Sequence, residues 1–260
     1  MKFDMHIHTD ASVDSGASLE RMIRAARAAG LDGFAPANHN VFVPPPPPQA
    51  DFLVIPACEY STDAGHMLVY FLTAPLDTGL TRDARGRFPW RDILSRAHAQ
   101  GALVFLAHPF APAVDRPPDL WEALDGVEAY NARIVHSRVP SPNQRALELC
   151  ARLRVPCSAG SDAHFPAEVG AAYWECALRA ETPEARLAEL KERLRAGEGA
   201  LWGGAARPLW RAASQWLKLK RTRAWRDVWA LLPRTARAVL KSILPRRSPR
   251  RIGEIDHRKG

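Results

Sequence analysis

The sequence predicts an α/β protein built on a mostly parallel sheet, open or closed into a barrel. Three observations lead there. Short apolar runs alternate with amphipathic helical stretches over most of the chain, the pattern of strands joined by crossover helices. Histidines and carboxylates recur at the C-terminal ends of successive apolar runs, where a barrel gathers residues from distant parts of the chain into one mouth. Finally, 260 residues with 47% hydrophobic content suit one sizeable domain, with or without an appendage.

The elements follow in order. MKFDMHIH reads as the first strand; alternate side chains of a strand share a face, so His6 and His8 emerge side by side. SLERMIRAARAAG is a helix with Leu19, Met22, Ile23 and Ala26 on one face and Gly30 as its stop. DGFAPANHN, DFLVIPACEY and HMLVYFL are strands that bring His39 and Glu59 to their ends and His66 to a beginning. Between the first two of these, VFVPPPPPQA holds five consecutive prolines, which exclude a helix and favour a stiff polyproline II connector.

FPWRDILSRAHAQG is a helix and ALVFLAHP a strand ending near His108. DGVEAYN is a strand ending at Asn131, PNQRALELCARLR a helix, and VPCSAGSDAH a strand leading to Asp162 and His164. GAAYWECAL completes the strands. TPEARLAELKERLRAG is a helix with Thr182 as N-cap, Pro183 at the first position and Gly197 past the end.

Composition narrows the class. No uncharged apolar run reaches the length of a membrane-spanning helix. MKFDMHIHTD lacks the apolar stretch of a secretory leader, so a cytoplasmic protein is expected. The four cysteines show no Cys-x-x-Cys spacing and lie in apolar settings, where reduced thiols pack as small hydrophobes. Charge divides the chain. Residues 205–260 carry 16 Lys and Arg against 3 Asp and Glu, leaving 20 against 25 for residues 1–204. The expected organisation is a barrel over 1–204, a basic amphipathic helical extension over 205–245, and a disordered tail over 246–260, which has few apolar residues.

Within the extension, Pro233 and Pro245 are expected to break the helices, and Trp225, Val228, Trp229 and Leu232 fall at one apolar stripe. Three roles are open: capping the bottom or side of the barrel, lying on an anionic membrane surface, or contacting nucleic acid.

Nine residues form the candidate metal set: His6, His8, Asp14, His39, Glu59, His66, His108, Asp162 and His164. Imidazoles mixed with carboxylates suit Mn, Fe or Zn. Nine ligands exceed the capacity of one ion, so two or three divalent ions are expected. Without an ion the same set would crowd polar atoms into an interior with too few partners. Asn131, Arg133 and His136, which follow a strand end, are candidate substrate-binding residues, Arg133 because a guanidinium fork fits phosphate.

Read as His-x-His, a histidine after the second strand, Glu59 before a strand opening at His66, then the His-Pro at His108, and Ser-Asp-x-His at Asp162 and His164, the set resembles the PHP (polymerase and histidinol phosphatase) superfamily of metal-dependent phosphoesterases, in particular small bacterial stand-alone members. The resemblance covers roughly residues 1–180. It implies a distorted (β/α)7 TIM-like barrel of the PHP type with a trinuclear site. It also implies that His6, His8, Glu59 and Asp162 hold one ion, that Glu59 bridges to a second held by His66 and His108, and that Asp14, His39 and His164 hold a third. Asn38 stands where most members carry Asp, which implies a weaker third site if that residue orients His39.

The function expected is hydrolysis of phosphate mono- or diesters, with water made acidic between metal ions. Glu59, Asp162, His164 and Arg133 carry the catalytic roles in this reading. The partner is a small phosphorylated substrate or an oligonucleotide. Two alternatives stand: an oligonucleotide phosphoesterase that uses the basic extension, and a non-catalytic module binding membrane or nucleic acid.

Overall fold

A computed structural model describes residues 1–110, 116–137, 139–242 and 248–254 and sorts the strands into two sheets. In the first, β1 (Lys2–Ile7) runs parallel to β2 (Gly33–Pro36), which pairs with the short β3 (Leu53–Val54). On its other side β1 is antiparallel to β9 (Ala172–Glu175), followed by β10 (Ala200–Gly203) and β11 (Arg250–Glu254). The second sheet holds β4 (Ala57–Thr62), β5 (Gly65–Tyr70), β6 (Leu103–Leu106), β7 (Gly126–Asn131) and β8 (Cys157–Gly160) in chain order.

The expectation of a mostly parallel sheet is corrected. Of the strand pairings, β1–β2, β2–β3, β6–β7 and β7–β8 are parallel and the other five antiparallel. The reason lies in connection length: only Asp63 and Ala64 separate β4 from β5, enough for a hairpin and far short of the dozen or so residues a parallel crossover needs. Nor do the described residues draw a closed hydrogen-bonded barrel. Two isolated parallel bridges, Ile7–Ala163 and His39–Glu59, instead tie the sheets together at one end.

The period-2 alternation of the second sheet sets its two faces. Cys58, Tyr60, Met67, Val69, Val104 and Leu106 point outward and are covered by Ile93 and Ala97 of α2 (Trp90–Ala99). Ala57, Leu68, Tyr70, Leu103 and Phe105 point inward, onto Phe3 and Met5 of β1 and Trp174 of β9. Toward one end the inner row continues as Glu59 and His66, on the same strands two residues from apolar neighbours. Helix α1 (Leu19–Ala28) seats Met22 and Ala26 on Ile7, Phe34 and Val54. Its N-cap Ser18 accepts from Arg21 N, and Gly30 follows it at φ +72°, the left-handed stop that a helix end favours.

The remaining helices are α3 (Leu120–Ala123), α4 (Pro142–Leu153), α5 (Pro183–Arg195), α6 (Pro208–Thr222) and α7 (Val228–Ser242). Thr182 caps α5 by accepting from Ala185 N at 3.2 Å. The proline run, residues 41–48, carries neither helix nor strand. All four cysteines are buried free thiols. Among the described residues no helix is long and apolar enough to cross a membrane.

Two expectations for the extension change. Pro233 does not end a helix but lies inside α7; it forfeits only the N–H bond to the carbonyl of Trp229, on a side where the backbone faces solvent. The tail over 246–260 is not wholly without structure: Arg250–Glu254 forms β11 by pairing with the otherwise open edge of β10, where backbone hydrogen bonds compensate for the scarcity of apolar side chains. Pro245 and residues 255–260 lie outside the described residues.

Candidate metal centre

The nine candidate ligands come together where the sheets are bridged. His6 is the penultimate residue of β1 and His8 follows the strand, while His39, Glu59, His108, Asp162 and His164 arrive on the segments beside it. Close approach of β8 makes this possible. A Cβ on Gly160 would stand 2.4 Å from the Cβ of His6 and 2.7 Å from its backbone N, so only glycine lets the chain pass and deliver Asp162. His108 and Asp162 themselves adopt φ of 28° and 57°, a left-handed conformation that costs a non-glycine residue and gathers at functional sites.

Hydrogen bonding fixes how the first two rings face the centre. Glu128 Oε1 lies 2.9 Å from His6 Nδ1, and its other oxygen accepts from His108 N at 2.8 Å and Asn131 Nδ2 at 3.1 Å. A carboxylate only accepts, so His6 donates from Nδ1 and turns the lone pair of Nε2 inward. Ser12 performs the same service for His8. Its hydroxyl donates to Asn38 Oδ1 at 3.2 Å, accepts from His39 N at 3.0 Å, and so must also accept from His8 Nδ1 at 3.2 Å. The two Nε2 atoms then meet 3.0 Å apart, lone pair to lone pair unless a cation or proton stands there.

Glu59 is the hub. Its Oε1 contacts His66 Nδ1 at 2.9 Å and His108 Nε2 at 3.2 Å, while its Oε2 faces His39 Nδ1 at 2.7 Å and the Nε2 atoms of His6 and His8 at 3.6 Å. Asp162 Oδ1 approaches His8 Nε2 at 3.2 Å, and Asp14 lies 3.5 Å from both His39 and His164. Three trios bring one donor atom each within 4.8 Å of one another: His6, His8 and Asp162; His39, Glu59 and His66; His8, His39 and His164.

The donor set fits divalent ions on an observation beyond proximity. Asp14 Oδ1, His39 Nδ1 and Glu59 Oε2 are buried without a hydrogen-bond partner. His39 Nδ1 and Glu59 Oε2 stand 2.7 Å apart without the alignment of a hydrogen bond. Leaving such atoms unpaired costs about 1–3 kcal/mol each, a cost that coordination removes.

Metal-free, the cluster stores protons and charge. Burial opposes charging His6, but Glu128, Asp162 and Glu59 overcome it and hold its pKa well above the usual range. Against the same burial, Glu59 and Asp14 push His39 up to about 10. His8 goes the other way, kept neutral by burial and by its neighbours His164 and His39. Burial works against Glu59 and Asp162 as anions, yet the surrounding imidazoles hold both well below the carboxylate range. Asp4, two residues before His6, is raised to about 7 by burial despite accepting from the backbone N of Ser161 and Gly170.

The three candidate substrate residues fall differently. Asn131 is buried and donates to Glu128 and, at 3.3 Å, to Asp162, so it positions a candidate ligand. Arg133 is also buried: its Nε lies 3.2 Å from Glu168 Oε1, and its Nη2 donates to Trp210 O and Ser214 Oγ of α6. His136 is exposed on the turn Ile134–His136. Asn38 meets Thr9 N, Thr9 Oγ1 and Ser12 Oγ, not the ring of His39, so it acts on the imidazoles through Ser12.

Helix α6 packs on the ligand end, not on the bottom or side. Arg221 donates to the carbonyls of Ser12 and Ser15, and Trp210 lies against Phe165. Partial desolvation and the like charges of Arg133 and Arg234 lower the pKa of Arg211, exposed on α6, while Asp162 acts in the opposite sense, so Arg211 lies within electrostatic reach of the ligand end. A cavity of about 120 Å³ opens beside His66 and His108, lined also by Ser61, Thr62, Arg87 and Arg116.

Glu128, Ser12 and Glu168 escape the sequence reading. For Glu128 a signal exists, a carboxylate within the apolar strand GVEAYN. Ser12 carries none, since serines in loops are ordinary.

Comparison with known proteins places this geometry. A PHP-associated family profile matches residues 140–198. An uncharacterized protein of Methanocaldococcus jannaschii is 30% identical over 184 residues, 66% of this chain and 69% of that one. Among solved structures, a two-domain protein containing a predicted PHP-like metal-dependent phosphoesterase from Bacteroides vulgatus superposes with a TM-score of 0.57 at 18% identity, over 78% of this chain. The chain spans 64% of that protein's length. PsfC from Pseudomonas syringae gives 0.57 at 16% identity, over 86% of this chain and 98% of its own. The lesion-specific endonuclease PfuEndoQ from Pyrococcus furiosus gives 0.50 at 18% identity, over 75% and 55%.

Proposed function

Because the chain belongs to the PHP superfamily, we propose that it is a metal-dependent hydrolase of phosphate esters, acting on a compact phosphorylated substrate. The observation that carries the reading is the facing pair of Nε2 atoms on His6 and His8, each turned inward by a partner on its far nitrogen. In this reading His6, His8, Glu59 and Asp162 would hold one ion, and Glu59 with His66 and His108 would hold a second. Asp14, His39 and His164 hold a third. Mn, Fe or Zn suits such imidazole and carboxylate donors. When bound, the ions supply an acidified water and neutralise charge on the phosphoryl oxygens.

The chain's own residues do the rest. Glu128, Ser12 and Asn131 keep His6, His8 and Asp162 directed at the centre. Arg116, lining the cavity beside His66 and His108, suits an anionic group of the substrate; Arg87, on the same lining, is held by Asp83 through Nε and Nη2. Arg211 adds positive charge from α6, and Arg133 anchors that helix. That helix covers part of the ligand end, which favours a small ester over a long nucleic-acid strand. The same reading takes residues 1–204 as the catalytic unit, and its two sheets, joined by the Ile7–Ala163 and His39–Glu59 bridges, as the halves of a distorted barrel of the PHP type.

The test uses the full chain loaded in turn with Mn²⁺, Fe²⁺ and Zn²⁺, assayed on p-nitrophenyl phosphate, bis(p-nitrophenyl) phosphate and a short oligonucleotide. Turnover of a small ester that falls about a hundredfold or more in Glu59→Gln is the expected result. Absence of turnover with every ion and substrate overturns it, and turnover of the oligonucleotide alone replaces the compact substrate with a nucleic acid.

A further inference from the structure

Helix α7 carries three separate faces. Leu231 and Ala238 are buried and Thr235 accepts from Trp216 Nε1, so this face packs on α6. A second face is apolar and open to solvent: Trp229 is 81% exposed, Leu240 68%, and Leu232 and Val239 nearly half, with Trp225 at 57% in the turn just before. Arg234, Arg237 and Lys241 form the third face, spaced three and four apart and all exposed. No carboxylate lies on α7; Asp227 precedes it.

We propose that α7 docks this protein on an anionic lipid bilayer, with Trp225, Trp229, Leu232 and Leu240 entering the interfacial region and Arg234, Arg237 and Lys241 meeting lipid phosphates. Large apolar side chains this exposed on a soluble surface mark an interaction site. A basic helix with tryptophans on its apolar face is the form that lies in a membrane interface, where the indole ring is stable at headgroup depth. The basic row beside the stripe fits a surface of negative charge, which draws arginine and lysine within a Debye length. Nucleic acid would meet the cations equally well but leaves a stripe of leucine and valine uncovered. A second copy of the chain would cover the stripe but brings to it no carboxylate on α7 for the arginines. The inference rests on the surface of α7 alone and is independent of the metal centre.

The test is flotation of the full-length protein with phosphatidylcholine vesicles containing about one-third phosphatidylglycerol, beside pure phosphatidylcholine vesicles. The double variant Trp229→Ser, Leu240→Ser is compared with wild type; both side chains face solvent, and thermal melts verify that the fold is retained. Binding to the anionic vesicles that weakens with salt, shifts tryptophan emission to the blue and drops about tenfold or more in the variant is the expected result. Absence of wild-type binding, or equal binding by the variant, overturns the proposal. Self-association or oligonucleotide binding lost in the variant, without vesicle binding, assigns the stripe to that partner instead and likewise overturns it.

Discussion

His6 Nε2 and His8 Nε2 stand 3.0 Å apart, each aimed inward because its own Nδ1 is held from behind, His6 by Glu128 and His8 by Ser12. Two lone pairs at that distance repel. Either a proton on His6, whose pKa is raised, or a metal ion relieves that repulsion, and the fold holds the two nitrogens ready for one or the other.

Weakening a hold from behind should loosen the ion without disturbing the fold. Glu128→Gln can offer His6 an amide oxygen but no charge. Such partners of metal-bound histidine are worth about 10–100-fold in metal affinity. We expect a loss in that range, measured by competition with a coloured chelator, while the far-ultraviolet circular dichroism is unchanged.

Metal and protons compete for the same nitrogens. His6 and His108 are raised and His39 is held up to about 10 in the metal-free protein, so ions must displace protons at pH 7. These raised histidines contribute stability that is complete below their unfolded pKa of about 6.5 and lost as pH rises through the folded value. His8, lowered instead, is neutral in both states over that window and adds no slope. Metal-free protein should therefore lose thermal stability from pH 7 to pH 10, and metal-loaded protein much less. Melting curves with chelator and with Mn²⁺ across that range check this, together with proton release on metal addition.

Gly160 is where β8 passes β1. Gly160→Ala places a methyl 2.4 Å from His6 Cβ, and overpacking of this kind costs about 1–3 kcal/mol. Because the displaced group, His6, is one of the proposed ligands, metal affinity should fall together with stability, a joint loss that urea denaturation with and without metal resolves.

The convergence of the candidate ligands was legible in the sequence for a physical reason: a strand end fixes the residues it carries with little ambiguity of place. His-x-His on one strand, Glu59 before a hairpin and Ser-Asp-x-His after β8 follow from local geometry, and the structure brings all of these residues together. The pairing of sheets was less legible. The two residues between β4 and β5 forced a hairpin, yet the apolar runs on either side look alike in parallel and antiparallel sheets. The partners behind the ligands were least legible, since Glu128 and Ser12 acquire their roles only when β7 and the loop after β1 are folded against His6 and His8. The course of α6 was hidden too, because its arginines read as a solvated face until Arg221 meets the carbonyls of Ser12 and Ser15.

Arg133 shows how a residue of phosphate-binding type can be taken up by packing. Its guanidinium joins Glu168 to Trp210 and Ser214. Arg133→Ala leaves Glu168 a buried carboxylate without its cation, and removing one member of a buried pair costs about 3–5 kcal/mol. We expect a destabilisation in that range by urea denaturation, with α6 more open to proteolysis. The double substitution Arg133→Met, Glu168→Gln, which removes the buried charge and keeps an acceptor for His164 N and Phe165 N, should recover part of the loss.

The most direct test of the account is elemental analysis of full-length protein purified without chelator, beside the double variant Glu59→Ala, Asp162→Ala. Two to three equivalents of Mn, Fe or Zn in the wild type, largely lost in the variant, is the result the account predicts. Less than half an equivalent in both proteins would contradict it.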